Sequence, residues 1–338
     1  MMNFRRFLYF LYYLKTTDWR KFNRFTSYVI SHHRISKAKL FRDIFIASFT
    51  YNVSFLEYFL FRFWEKEAIE RKEWAGTGFM YEYQGWMNPR KYRDELEDKT
   101  KFYKTYGQYM LRKVADFNEL VSDKKNFELL QKTLSGKVVF KIKDGGCGRR
   151  VLIKNISDFE SADFIIDFMK TNDYDLVEEY IIQHKEMMRM APSAVNTVRV
   201  ITQLDNTNNP VILGCRLRIG VNGVVDNLAA GNIAAPIDTE TGIVFGSGIY
   251  SDITKPDEKT HPITKTPIVG FQVPFWKETI DLVQKVAVVN PVNRSVGWDI
   301  AITGNGPDLI EGNREWCKLV YQLPVHKGLK NKLQQYMR

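Results

Sequence analysis

Val138-Val139-Phe140-Lys141-Ile142-Lys143-Asp144-Gly145-Gly146-Cys147-Gly148-Arg149-Arg150, followed at once by Val151-Leu152-Ile153-Lys154, is the stretch on which the reading of this chain turns. Two β-branched runs, Lys137 to Lys143 and Val151 to Lys154, flank a glycine-rich tip. That pattern predicts an antiparallel hairpin with a long loop. A lysine on a strand beside glycines and two arginines sets cations next to free backbone N–H groups, a combination that holds phosphate oxygens. The spacing is not that of a P-loop, and no strand-then-helix context supports a dinucleotide fingerprint. A plain hairpin also needs glycine for its φ angles, so this stretch alone leaves phosphate binding and simple turn chemistry open.

Downstream, Ser157-x-x-Glu160 predicts a capping box for a helix with Phe164, Ile165, Phe168 and Met169 at helical spacing. Leu176-Val177-Glu178 reads as a strand. The apolar step resumes at Tyr180-Ile181, a hinge whose backbone polar groups suit an adenine edge. Asn196 to Leu204, Val211 to Val221 and Gly223 to Leu228 read as an antiparallel meander. Trp276 to Val288 reads as a helix with Trp276, Ile280, Val283 and Ala287 inward. Two strands, Gly297 to Thr303 and Pro307 to Glu311, are joined by Gly304-Asn305-Gly306. Alternation puts Trp298, Ile300 and Ile302 on one face and Asp299 on the other, while Glu311 and Asn313 share a face. Three oxygen ligands converging from neighbouring strands suit Mg²⁺. Carboxylates paired with arginine or lysine would give the same pattern.

Upstream, residues 1 to 95 are rich in Phe, Tyr, Trp, Arg and Lys, nearly free of Gly and Pro until Gly76, and read as helical. The apolar run Phe7 to Leu14 is far short of the roughly 20 residues that span a bilayer, and no small-residue cleavage site follows it. The basic, aromatic segment Phe4 to Phe25 suits either an anionic membrane surface or a helix packed on the body of the protein. With 338 residues and 44 % hydrophobic content the chain supports real cores. Its net charge of +10 implies attraction to something anionic without choosing it. Cys147, Cys215 and Cys317 are three and far apart, which fits neither a disulfide framework nor a thiolate metal site and makes a reducing, cytoplasmic compartment the expectation.

The order of these features resembles the ATP-grasp superfamily, most closely its sugar-transfer-associated members found with cell-surface polysaccharide genes. The resemblance is carried by Asp98-Lys99, Val138 to Gly148, Val177 to His184, Val195-Asn196-Thr197-Val198-Arg199-Val200, and Gly297 to Ala301 through Glu311-Gly312-Asn313. It spans roughly residues 96 to 325. It implies an α+β fold in which two subdomains grip ATP, behind a mainly helical region 1–95: a lid at about 132–180 and a metal-binding subdomain at about 181–325. It also implies that Lys99, Lys141 and Lys143 meet the nucleotide, that Gly145, Gly146 and Gly148 cover its phosphates, and that Glu178, Glu179, Tyr180 and Ile181 hold adenine. Asp299, Glu311 and Asn313 would bind one or two Mg²⁺. Arg199 and the arginine strand Arg216 and Arg218 would face the transferred phosphoryl group or an acidic substrate.

Two departures stand out. Arg150 occupies a place near the end of the lid loop where a glycine is expected, and Arg314-Glu315-Trp316 replaces a Pro-Gly continuation after Asn313. The implied reaction is carboxylate-amine ligation through an acyl phosphate, on a sugar acid or an amino-acid-bearing acceptor of surface polysaccharide assembly. The implied partners are ATP and small or glycan-linked carboxylates and amines, with peripheral membrane contact or a glycosyltransferase beside them. A kinase acting on a hydroxyl would use the same nucleotide site. A non-enzymatic membrane or nucleic-acid binder would use the charge, but Asp299 and Glu311 would repel phosphate and no nucleic-acid motif is present. No role falls to His184, His261 or the cysteines.

Overall fold

The computed structural model describes residues 4–145, 150–221, 223 and 226–337. Its first part is helical, with helices Phe4–Thr16, Trp19–His33, Lys37–Tyr51, Phe55–Leu60, Ala68–Lys72 and Thr77–Met87. Local chemistry sets the ends. Asp18 accepts from the N–H groups of Arg20 and Lys21, both at 3.0 Å, and Ser54 and Glu57 form a reciprocal capping box. Arg34 and Asn52 end the second and third helices in left-handed backbone, at φ 54° and 55°. Phe22, Phe25, Val29, Ile44, Phe55, Tyr58, Phe59 and Phe63 make an aromatic core that also takes in Ile249 and Leu323 from the rest of the chain. Buried Glu57 reinforces that junction. It accepts from Ser54 and Thr77 and pairs with Lys318 at 2.8 Å. No described helix is long and apolar enough to cross a membrane.

Among the described residues nine strands follow: β1 Val114–Asp116, β2 Lys137–Lys141, β3 Leu152–Asn155, β4 Leu176–Glu179, β5 Thr197–Leu204, β6 Pro210–Ile219, β7 Ile233–Ile237, β8 Ser295–Thr303 and β9 Gly306–Asn313. They form two antiparallel sheets, in the orders β1-β4-β2-β3 and β7-β6-β5-β8-β9. The expected hairpins β2/β3 and β8/β9 are both present. The third arm of the meander differs from expectation. Gly223 and the described residues of 226–228 are not strand, Leu228–Ala230 is a 3-10 turn, and pairing with β6 starts at Ile233. The helix after β3 runs Ala162–Thr171 with Ser161 at its cap, while Ser157 lies in a 3-10 turn. The capping-box reading was therefore misplaced: the short turn Ile156–Asp158 uses up the residues that pattern needs. Phe164 points to solvent, and Ile165 and Met169 are buried.

Alternation along the strands separates chemistry from core. In the first sheet Val138, Phe140 and Val177 pack with Ile165 and Met169, so Lys141 and Glu178 emerge from the opposite face. In the second sheet Val198, Val200, Leu217, Trp298, Ile300 and Leu309 pack with Val283 and Val286 of helix Trp276–Ala287. The other face carries Arg199, Arg216, Arg218, Asp299 and Glu311, with Arg199 in register with both Arg216 and Asp299, and Asp299 with Glu311. A bulge in β8/β9 pairs Asp299 with Glu311 but Ile300 with Leu309. The extra residue, Ile310, lets Asp308 and Glu311, three apart, share one face.

Candidate active site

The polar faces of the two sheets meet. Residues 180–184 cross from one sheet to the other: the Tyr180 N–H donates to the Lys137 carbonyl at 3.1 Å, Gln183 pairs with Thr303, and the His184 N–H donates to the Ile302 carbonyl at 2.7 Å. Across the junction Arg112, almost fully buried, donates through Nε to Glu178 of β4 and through Nη1 to Asp308 of β9 at 2.9 Å and the Leu309 carbonyl at 2.7 Å. The Leu111 N–H adds a 3.0 Å bond to Asp308. Glu178 takes a second cation, Lys141, on its other oxygen. Burial would raise the Glu178 carboxyl, but Arg112 and Lys141 outweigh it and bring it down to about 2.

Lys99 joins the same place from the start of helix Lys99–Tyr106, which Asp98 caps by accepting from the Thr100 N–H at 2.8 Å. Its backbone N–H donates to the Lys143 carbonyl at 2.9 Å, and its ammonium donates to the Gly145 carbonyl. Burial lowers its pKa. Glu311 opposes that shift and Lys141 adds to it, so the ammonium lies within electrostatic reach of both sheets.

The second sheet supplies a charge cluster. Arg199 grips Asp299 with both arms, Nη2 to Oδ2 at 2.7 Å. Arg218 reaches Asp299 at 2.8 Å and Asp226 at 2.6 Å, and Asp226 also accepts from the Thr197 N–H at 3.0 Å. Burial would raise Asp299, yet Arg199 and Arg218 hold it well below the usual carboxylate range. Glu311 is the opposite case. Burial and the neighbouring Asp299 push its carboxyl up, and among the described residues it forms no ion pair. The Asn313 amide donates to Glu311 at 3.2 Å and more weakly to Asp299 at 3.4 Å.

These residues fit a divalent cation on one observation: Glu311 abuts Asp299 with no cation of its own, and a metal between them would relieve that repulsion. Half a turn of the Asn313 amide would present its oxygen, since amide orientation follows the hydrogen-bond network. No group of three or more His, Cys, Asp or Glu among the described residues, at this place or any other, is arranged to hold a metal, so the donors here are two carboxylates and an amide.

Not every expected residue joins the site. Arg216 turns away: its Nη2 donates to the Tyr321 carbonyl, Nη1 to the Cys215 carbonyl at 2.7 Å, and its Nε has no partner. With no carboxylate near, burial brings its pKa down to about 10. Lys143 is exposed and its side chain lines a separate cavity of about 610 Å³ with Asp98, Asp144, Arg150 and Asp175, which none of Lys99, Lys141 and Glu178 borders. Glu179 and Tyr180 serve the sheet edge, Glu179 accepting from the Lys113 N–H at 3.2 Å, and Ile181 is half-buried on the crossing segment. Gly145 is described at the base of the tip; Gly146, Cys147 and Gly148 lie outside the described residues. Arg150 sits at φ 53°, the left-handed region that explains the expected glycine, and donates to the Asn172 carbonyl at 2.7 Å. His261 spans two backbone segments, with Nε2 at 2.8 Å from the Gly220 carbonyl and Nδ1 accepting from the Thr264 N–H at 3.0 Å.

Arg314-Glu315-Trp316 has a structural use. Trp316 lies on Gly297, where an added Cβ would come within 2.6 Å of the tryptophan Cβ, and its indole N–H donates to Ser295 at 3.1 Å. Asn88 donates to the carbonyls of both Ser295 and Arg314 at 2.8 Å, and Tyr83 contacts Ser295 at 3.1 Å. Helix Thr77–Met87 and its continuation thus brace the strands that bear the acids. Arg112, Asp226 and Asp308 were not singled out from the sequence. Asp308 was hidden by the bulge, and Arg112 and Asp226 stand in no motif.

No curated protein matches the chain. Solved structures of similar shape include the ADP complex of purK, N5-carboxyaminoimidazole ribonucleotide synthetase (10 % identity, 65 % of this chain and 45 % of that one, TM-score 0.37). They also include an L-amino acid ligase from Bacillus licheniformis (12 %, 72 % and 48 %, TM-score 0.41) and the D-cycloserine synthetase DcsG (9 %, 73 % and 73 %, TM-score 0.40). The chain spans less than half the length of the first of these, and likenesses this distant carry no argument of their own. The model of the family described as sugar-transfer associated ATP-grasp matches residues 79–338, starting in the helix that braces β8 and β9. Over that span, with its two antiparallel sheets facing across a charged junction, the chain belongs to the sugar-transfer-associated ATP-grasp family.

Proposed function

We propose that this chain is an ATP-dependent ligase that joins a carboxylate to an amine through an acyl phosphate, with ATP between the two sheets. The observation that carries the reading is the place of Lys99, whose ammonium donates to the Gly145 carbonyl at the base of the glycine-rich tip and lies within electrostatic reach of Lys141, Glu178 and Glu311. Cations on one side of a cleft and an unneutralised acid on the other suit a polyphosphate with its metal. Lys99 and Lys141 would meet the phosphates, Lys141 leaving Glu178 to do so, while Arg112 keeps Glu178 ionised. The crossing segment Glu178 to Ile181 would border adenine. Asp299, Glu311 and Asn313 would hold one or two Mg²⁺, which when bound neutralises phosphate charge. On this reading the catalytic body begins before residue 96, which family membership from residue 79 and the packing of Tyr83 and Asn88 support.

The chemistry asked of the chain is orientation and charge neutralisation. A substrate carboxylate oxygen attacks the γ-phosphorus, the bond to the β-phosphate oxygen breaks and ADP leaves. An amine nitrogen then attacks the acyl carbon, the carbon–oxygen bond breaks, phosphate leaves and the amine gives up a proton. Arg199 and Arg218 would orient the acid and the developing oxyanion; Arg216, turned to Tyr321, is assigned no substrate contact. Family association with sugar transfer supports a sugar acid or an amino-acid-bearing acceptor of surface polysaccharide assembly, and a place at the inner face of a membrane or beside a glycosyltransferase.

The test is ADP release from Mg-ATP by the full chain, screened against pairs of sugar acids and amines. Release that needs both partners and yields an amide supports ligation. Release with a hydroxyl acceptor and no amine would make the protein a kinase.

A further inference from the structure

The nucleotide reading uses nothing of the first three helices, yet they carry a run of exposed apolar side chains. Phe4, Phe7, Leu8, Leu11 and Tyr12 recur at i, i+3, i+4, i+7 and i+8 and so occupy one face of helix Phe4–Thr16. That face is turned to solvent: Phe4 is 73 % exposed and Tyr12 54 %, while only Tyr13 of this helix is buried. The helix is held firmly from behind. Arg6 donates to the Phe49 carbonyl at 2.7 Å, Tyr13 to the Asn52 side chain at 2.9 Å, and Phe10 stacks on Phe49 with ring centres 4.6 Å apart and meets Phe45 edge-on at 5.3 Å.

Those contacts pack helix Phe4–Thr16 against helix Lys37–Tyr51. Phe45, which meets Phe10, is itself exposed, as are Phe41 and Ile46 of the same helix, so the apolar surface continues onto that helix. Cations stand along it: Lys15 on the same stripe, and Lys37 and Arg42 on the neighbour, with Lys37 5.8 Å from the Phe41 ring centre. Acids do not. The sequences of helices Phe4–Thr16 and Trp19–His33 contain none. Helix Lys37–Tyr51 contains only Asp43, which is tied to Arg71 at 2.7 Å and accepts from Tyr58 at 2.6 Å. Two acids stand at the margins of this face: Asp18 is engaged in capping helix Trp19–His33, and Glu82 is reached by Tyr9 on the flank at 3.3 Å.

We propose that this two-helix face docks on an anionic lipid bilayer, the rings and leucines entering the headgroup boundary and Lys15, Lys37 and Arg42 meeting lipid phosphates. Charge selects this occupant over a second copy of the chain, because a two-fold contact would set the same cations against one another. The proposal does not rest on the ATP site.

The test is co-sedimentation of the full chain, without nucleotide, with vesicles of phosphatidylethanolamine and phosphatidylglycerol and with vesicles of phosphatidylcholine alone. We expect binding to the anionic vesicles only. It should fall roughly tenfold or more in Leu8→Ser/Leu11→Ser and, separately, in Lys15→Glu/Lys37→Glu/Arg42→Glu. All five residues are exposed, and unchanged melting temperatures will show that both variants fold. Absence of binding, equal binding to neutral vesicles, or undiminished binding by either variant would overturn the proposal. So would a concentration-dependent dimer that the leucine variant abolishes while vesicle binding is absent.

Discussion

Arg112→Met removes the cation that ties the two sheets together while keeping most of the side-chain volume. The loss can be sized in two ways. Lowering the Glu178 carboxyl from its ordinary 4.5 to about 2 corresponds to about 3 kcal/mol. Removing one partner of a buried ion pair costs about 3–5 kcal/mol, because the remaining charge is left uncompensated. Lys141 stays on Glu178 in the variant, whereas Asp308 loses its one cation, so about 3–4 kcal/mol is the working figure. For 338 residues the unfolding entropy is about 0.7 kcal/mol/K, so Tm should fall by about 4–6 °C at neutral pH. The acid side carries a second signature. A depressed carboxyl gives stability that is present above 4.5 and is lost as pH falls toward 2. In the variant that acid-dependent loss should be smaller. Adding Asp308→Asn should recover much of the stability, since Glu178 keeps Lys141 and Asp308 no longer buries an unpaired charge. Calorimetric melting between pH 2 and 7 measures both effects. An unchanged Tm together with an unchanged acid profile would refute the clamp.

Three further outcomes follow from the charge cluster and its support. Burial and Asp299 raise Glu311 above 4.5, so without metal the protein should lose stability as pH climbs out of the ordinary carboxylate range; Glu311→Gln should flatten that slope, with Asp226, raised by burial, retaining its share. Magnesium binding should release protons in the same window, measurable as a buffer-dependent heat that Glu311→Gln abolishes. Gly297→Ala forces a methyl group against Trp316 and should destabilise by about 1–3 kcal/mol, read as a shift in denaturant midpoint.

The sequence showed most clearly what depends on local pattern. The β2/β3 and β8/β9 hairpins follow from β-branched runs broken by glycine, and the inward set Trp298, Ile300 and Ile302 follows from strict alternation in β8. What it hid depends on departures from period. The bulge at Ile310 puts Asp308 on the site face against alternation. Arg216 shares that face with Arg218, yet its side chain reaches Tyr321, because helix Lys318–Gln322 offers a carbonyl that no local pattern announces. Arg112, lone before a three-residue strand, gains meaning only when Glu178 and Asp308, 66 and 196 positions away, fold onto it. Arg150 shows the reverse: the expected glycine is absent, but the backbone keeps the conformation that glycine would favour.

The central claim is that Mg-ATP lies between the sheets against Lys99 and Lys141. The most direct measurement is isothermal titration of the full chain with a non-hydrolysable ATP analogue, with and without Mg²⁺, repeated on Lys141→Ala and Lys99→Ala. The account predicts magnesium-dependent binding that each variant weakens by tenfold or more, as loss of a charged phosphate contact worth about 1.5–3 kcal/mol requires. Binding of equal strength in all three proteins, or none in the parent chain, would contradict it.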